Sequence, residues 1–309
     1  MLATVTGSLR RYDLAVIGHI VLDHISRGRK HYDTQLGSPC VYTSLGARAL
    51  NSSVVVGSKV GLDFGEERLT WLRSRGIDID HVRRSNLSTT SFKINYVDGN
   101  RFMWLASKCA PLTHRDLFDL PTASALHLGP ILDELSPRLA TLLADRNPVT
   151  CLDPQGYLRR VLRNGTIRKS KWRNHSILKH LDVLKVSDDE ASTLIGRTRS
   201  SLKLRTIGPD IVLITRGKLG TIVWSREHGM YDVPAYKTHV RDPTGAGDAL
   251  VGAFLVTWIR TADLPWSAAI GSAVASFVVE KVGPANFGAL KQVERRANAV
   301  HDRIVKIHR

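Results

Sequence analysis

The stretch Asp242-Pro243-Thr244-Gly245-Ala246-Gly247-Asp248 decides how this chain is read. It opens directly onto an apolar, small-residue run, Ala249-Leu-Val-Gly-Ala-Phe-Leu-Val-Thr-Trp258, which predicts a helix. Two glycines around an alanine leave the backbone bare at that helix start. The first N–H groups of a helix lack intrahelical partners and the helix dipole is positive there, so the turn favours an anion. Charge balance alone would not place an aspartate beside such a site. The carboxylate makes sense if it takes a proton from a hydroxyl that attacks the anion, as phosphoryl transfer to an alcohol requires. Without further context the same residues also fit a glycine-rich helix start with a capping aspartate.

Working outward, short apolar runs alternate with helical patterns. Strands are expected at Leu14–Val21, Ser53–Val56, Ala125–Leu128, Val149–Leu152, Val183–Val186 and Ile211–Thr215. Helices are expected at Thr43–Leu50, Phe64–Arg75, Ser136–Leu143 and Asp188–Ile195, and in the last third at Ala249–Thr261, Pro265–Lys281 and Ala289–Ile307. Alternation of this kind implies an α/β fold with a parallel sheet covered on both faces. One segment departs from it. Thr90–Val97 and Arg101–Ala106 flank Asp98-Gly99-Asn100, and Asp-Gly between two β-rich runs signals a hairpin.

The 309 residues can bury a large core, and α/β chains of this size often form one domain. The longest N-terminal apolar run, Leu14–Leu22, is too short to span a bilayer and lacks the layout of a signal peptide. Cys40, Cys109 and Cys151 are odd in number and scattered, which points to a reducing cytoplasm and no metal cluster. The formal charge of +16 would suit a nucleic-acid binder, and Arg159–Lys179 carries eight Lys or Arg and no acid. No nucleic-acid motif accompanies it, and 6% aromatic content offers little for base stacking. The expectation is a solvated basic surface that also attracts nucleotide phosphates, with no specific nucleic acid and no membrane as partner.

Asp242–Asp248 resembles the C-terminal signature of the ribokinase-like, or PfkB, family of carbohydrate kinases, and the order of features extends that resemblance over nearly the whole chain. It implies a ribokinase-like three-layer sandwich with a mostly parallel sheet and a small β-sheet lid. The expectation is a single kinase domain over residues 1–309, with lid segments at about 26–36 and 89–107. It implies Asp248 as catalytic base and the Gly245, Ala246 and Gly247 amides as an anion hole. ATP and Mg²⁺ are implied as cofactors, a monovalent cation near Asp242 is common in the family, and a homodimer through the lid is open.

Carried over residue by residue, the resemblance places Asp23, in Gly18-His-Ile-Val-Leu-Asp23, on the substrate hydroxyls beyond the first strand. Read alone, Asp23 is also a turn cap. Gly37 matches the first glycine of the family's Gly-Gly pair, whereas Ser38 replaces the second and the usual following Asn is not recognisable, which puts a ribose-type or fructose-phosphate-type acceptor in doubt. Tyr42 and Ser44 fall in the same region. In Lys185-Val-Ser-Asp-Asp-Glu190, Glu190 matches the Glu that organises Mg²⁺, often through water, while Ser187 stands in place of Asn. The same residues also read as a capping box. Thr215, Gly217 and Gly220 resemble the family's nucleotide-side turn, and Ala275, Val279, Gly283 and Asn286 lie where it lines an adenine pocket.

Three pieces resemble myo-inositol kinases: the first strand Gly18–Asp23, the Tyr96–Arg101 hairpin, and Cys151-Leu-Asp-Pro-Gln-Gly-Tyr-Leu-Arg159. In the last, Gln155 and Arg159 would bind a cyclitol, and a capped turn is the other reading. The expectation is an ATP-dependent phosphotransferase acting on a small polyol or sugar, with myo-inositol favoured. The alternatives are a nucleoside kinase and an inactive, nucleic-acid-binding protein on the same scaffold.

Overall fold

Along the strand Tyr12–Ile17, Leu14 and Val16 face one side, Ala15 and Ile17 face the other, and all four are fully buried. A strand that is apolar on both faces needs cover on both. The computed structural model, which describes residues 12–97, 100–172, 174–195, 203 and 206–307, supplies that cover with two helical layers. Between them lies a sheet of 11 strands. From one edge these run Ile77–Asp78, Val54–Gly61, Tyr12–Ile17, Ala123–Leu128, Thr150–Leu152, Val183–Ser187 and Ile211–Thr215, all parallel. Thr221–Ser225, Gly229–Val233 and Val305–Ile307 follow, each antiparallel to its neighbour. Val82–Ser85 pairs with the second half of Val54–Gly61.

One layer contains Pro39–Arg48, Glu66–Ser74, Ala246–Thr261, Leu264–Val278 and Leu290–His301. The other contains His114–Leu117, Pro137–Ala144 and Asp188–Ile195. Local chemistry starts several of them. Pro39 takes the first helical position, where its missing N–H costs nothing. Ser136 Oγ accepts from Leu139 N at 3.2 Å, and the Asp263 carboxylate accepts from Trp266 N at 2.9 Å. Ala246–Thr261 lies hard against Pro39–Arg48, since a Cβ on Gly252 would run into the Thr43 carbonyl. Thr43 Oγ1 adds a hydrogen bond to the Asp248 carbonyl at 3.0 Å.

A second sheet of five strands projects from this body. It comprises Val21–Arg27, Lys30–His31, Gln35–Gly37, Ser91–Val97 and Asn100–Ser107. Val21, Ile25, Phe92 and Ile94 turn inward and pack on Ile131 and Leu132 of the main body. The turn expected at Asp98-Gly99 lies outside the described residues.

Several boundaries differ from the sequence reading. The apolar run Leu14–Val21 is two elements: Gly18 N bonds the Gly57 carbonyl, Ile20 N bonds Ser58 Oγ at 2.9 Å, and the chain leaves the main sheet before Val21. The small sheet therefore begins at Val21, before the expected segment at residue 26. The helix expected at Thr43 starts at Pro39. The helix expected through Ile307 ends at His301, and Val305–Ile307 becomes an edge strand against Met230–Asp232. Val305 is exposed there, and Ile307 is partly buried against the core. The hairpin Thr221–Val233 and the two-stranded ribbon Arg159–Val161/Ile167–Lys169 were not expected. Cys40, Cys109 and Cys151 are free and buried. No described helix is long and apolar enough to cross a membrane.

Candidate active site

The helix Ala246–Thr261 starts from Gly245, whose φ of 77° is left-handed. A side chain there would be strained, and its Cβ would strike the Tyr42 ring. The turn is braced by Asp242, buried, whose Oδ1 accepts from Thr244 N at 3.2 Å and Thr244 Oγ1 at 2.8 Å. Asp242 Oδ2 is buried with no hydrogen-bond partner. From the small sheet, Arg27 approaches Asp242 at 3.5 Å and the Tyr96 hydroxyl meets Thr244 Oγ1 at 2.7 Å.

Two cavities meet on this turn. Gly245 and Asp248 line the smaller, of about 70 Å³, and Ala246 and Gly247 line the larger, of about 720 Å³. The helix start thus separates two compartments and faces both.

The smaller cavity gathers Asp23, Asp248 and the nearby pair Gln155 and Arg159 from three separate parts of the chain. Asp23 follows the first main-sheet strand, as expected, but within a strand of the small sheet. It lies on Val21–Arg27 of the small sheet, opposite Gln35 and Phe92, because the chain has already left the main sheet. Gly37 is not in the wall; it backs the Asp23 carboxylate so closely that a Cβ would collide with it. Gln155 stands in a short turn held by Asp153 Oδ1, which accepts from Gln155 N at 3.1 Å. Arg159 donates to Gln155 Oε1 at 2.6 Å and to the Ile131 carbonyl at 3.2 Å. Tyr42 lines the cavity, and Ser44 does not.

Beneath the turn lies a group that motif reading passed over. Lys185 Nζ is 2.5 Å from Asp153 Oδ2 and 3.7 Å from Asp248 Oδ1. Burial opposes the ammonium charge, but Asp153 and Asp248 outweigh it and raise the Lys185 pKa. Burial pushes the Asp248 carboxyl up to about 6, with Lys185 opposing the shift and Asp153 adding to it. Asp248 is therefore a carboxylate at neutral pH with an unusually high proton affinity, the property of a general base. Asp153 and Lys185 occupy equivalent positions two residues beyond paired Cys151 and Val183, and that register is the signal that would have found them.

Thr215, Gly217, Gly220, Ala275 and Val279 all line the larger cavity. Gly283 and Asn286 do not. Gly283 abuts the Gln35 side chain, and Asn286 bonds Glu280 at 3.4 Å and Gly288 N at 3.2 Å. Their place along the chain was close, but the turn after Val279 carries them away. Leu250, Tyr236, Val240, Ser272 and Ser276 complete the wall. Ser272, Ala275, Ser276 and Val279 recur at helical spacing, a signal available in the sequence; Ala235–Val240 has no regular structure and carries none.

Glu190 forms the capping box: its Oε2 accepts from Ser187 N at 2.7 Å and Ser187 Oγ accepts from Glu190 N at 3.3 Å. Among the described residues no group of three His, Cys, Asp or Glu side chains could hold a metal ion by itself.

The chain is 28% identical over 294 residues to a nucleoside kinase of Methanothermobacter thermautotrophicus, covering 88% of this chain and 90% of that protein. It is 24% identical over 243 residues to an inositol 3-kinase of Arabidopsis thaliana, covering 74% of this chain and 63% of that protein. It shares its fold, at a TM-score of 0.80 and 24% identity, with a pyrophosphate-dependent kinase of the ribokinase family solved with a pyrophosphate analogue and myo-inositol, over 91% of this chain and 99% of that one. With residues 37–291 matching the pfkB family carbohydrate kinase model, the chain belongs to the pfkB family of carbohydrate kinases.

Proposed function

We propose that this kinase transfers the γ-phosphoryl group of ATP to a hydroxyl of a small polyol, with a cyclitol such as myo-inositol as the first choice. The observation that carries the reading is the helix start at Gly245–Asp248, which lines a small polar cavity on one side and a large, partly apolar one on the other. The acceptor occupies the smaller cavity, with Asp23, Gln155 and Arg159 on its hydroxyls. Asp248 removes the proton from the attacking oxygen. The amides of Gly245, Ala246 and Gly247 take up charge on the transferring phosphoryl group, and the acceptor oxygen attacks directly, with no phosphoenzyme.

The nucleotide occupies the larger cavity beside Thr215, Gly217 and Gly220. Leu250, Ala275 and Val279 offer apolar surface that a base would bury and pyrophosphate would not, which favours ATP as donor. Bound with the nucleotide, Mg²⁺ would neutralise phosphate charge. A donor set limited to Glu190 suits an ion that keeps most of its water. The unpartnered Asp242 Oδ2 suits a monovalent cation beside the anion turn.

A nucleoside kinase is the second reading, favoured by the 28% identity to the archaeal nucleoside kinase. The small volume beside Asp248 argues for the polyol. The test is incubation with Mg-ATP, or with pyrophosphate, and a panel of inositols, pentoses, hexoses and nucleosides, with products identified by mass spectrometry. Phosphorylation of a nucleoside and of no inositol would promote the second reading; turnover with pyrophosphate alone would overturn ATP as donor.

A further inference from the structure

Ser38 precedes the helix Pro39–Arg48 with φ 90° and ψ 163°. Glycine occupies this backbone region freely, and a residue with a Cβ enters it only under strain. A serine at the head of a helix normally compensates by capping, its hydroxyl accepting from a first-turn N–H. Ser38 makes no such side-chain bond. The residue is 8% exposed, and its Oγ is buried without a hydrogen-bond partner. The neighbouring Cys40 thiol donates to the Gly18 carbonyl at 3.2 Å; its sulfur also approaches Ser38 Oγ, a weak contact that leaves the hydroxyl without a full hydrogen bond. Ser38 instead contributes to the wall of the smaller cavity, with Asp23, Gln155, Arg159 and Asp248.

A buried hydroxyl without a partner adds a desolvation cost to the backbone strain. Glycine would remove both. We propose that Ser38 Oγ is a specificity-determining group that hydrogen-bonds one hydroxyl of the acceptor. The proposal rests on the reading of the smaller cavity as the acceptor site. A hydroxyl both donates and accepts, so it pairs with an alcohol in either role without a countercharge. A site that hydrogen-bonds a substrate hydroxyl rejects analogues lacking it, because the protein group is then left unpaired. Ser38 therefore selects for a hydroxyl at one ring position and not merely for an acceptor that fills the space.

The test compares the wild type with Ser38→Gly and Ser38→Ala, using as acceptor whichever panel member the wild type phosphorylates, together with its monodeoxy derivatives. Ser38→Gly relieves the strain and should melt about 2–4 °C higher without ligand. Its acceptor kcat/KM should fall about 10-fold, with the nucleotide KM unchanged. Ser38→Ala keeps the strain, so it should melt no higher than the wild type while losing the same acceptor efficiency. At one ring position, removal of the acceptor hydroxyl should cost the wild type about 10-fold and cost Ser38→Gly nothing further. Wild-type acceptor kinetics in Ser38→Gly, with an unchanged response to every deoxy derivative, would overturn the proposal. So would a melting temperature at or below that of the wild type, since no strain would then be borne for function. A nucleoside as the wild-type acceptor would defeat the polyol reading and leave this test intact, because the ribose hydroxyls provide the deoxy series.

Discussion

Asp248 combines a protonation state and a position that suit one task. Its carboxyl titrates near pH 6, above the ordinary Asp range, because burial penalises the charge more than Lys185 relieves it. The base must be ionised, so kcat/KM should decline as pH falls through about 6 and level off above it. Asp248→Asn keeps the shape and removes the base. Turnover should drop by roughly 10²–10⁴-fold with little change in nucleotide affinity, measured by steady-state kinetics and nucleotide titration; near-normal turnover would take Asp248 out of the mechanism. Lys185 should act partly through this carboxylate. Lys185→Met removes a cation that lowers the Asp248 pKa, so the acid limb of the pH profile should move to higher pH. A purely structural lysine would lower activity without moving that limb.

At the scale of elements, the anion turn depends on two neighbours. The helix Pro39–Arg48 presents the Tyr42 ring directly against Gly245. Gly245→Ala would place a Cβ at a left-handed position and against that ring. It should destabilise the fold by about 2–5 kcal/mol and abolish transfer, read from denaturant melts and activity. Melting like the parent would mean that the turn is not packed as described. The small sheet is the second neighbour, joined to the turn through Tyr96 and Thr244. Tyr96→Phe removes one hydrogen bond between sheet and turn. Its acceptor KM should rise about 2–10-fold while the nucleotide KM holds. Equal effects on both substrates would show that the bond serves general stability and not closure over the acceptor.

For the whole molecule, the +16 charge is the property most open to misreading. Part of the basic stretch is structural. Arg159 points into the small cavity, Lys169 pairs with Asp189 at 2.6 Å, and the ribbon carrying them is tied to the small sheet by Leu105 N and the Gly165 carbonyl at 2.9 Å. Binding to DNA or RNA should be weak, indifferent to sequence, and lost steeply as salt rises, as phosphate-only contacts are. Filter binding at several ionic strengths would reveal any tight, selective complex that contradicts this.

The sequence by itself determined the alternating α/β architecture and the glycine-rich helix start at Gly245. The atoms that make the turn lie within seven consecutive residues: a buried Asp242 bracing Thr244, two glycines, and a helix start. The glycines and the helix start can be read from that stretch alone, whereas its packing against Tyr42 and Tyr96 cannot. Thr215, Gly217 and Gly220, singled out as one local turn, come together on the wall of the larger cavity. The tertiary structure alone decided which distant residues share a cavity. Asp153 and Lys185 are 32 positions apart and meet because their strands pair in register. Asp23 reached the small cavity from an unexpected element, and Gly283 and Asn286 missed the large one because a turn redirects the chain. In sequence, Ser38 stands out only as a replacement for the second glycine of a Gly-Gly pair. Its strain and its unpartnered hydroxyl exist only because the start of Pro39–Arg48 is packed against the cavity wall, where backbone direction is dictated by long-range packing and not by local preference.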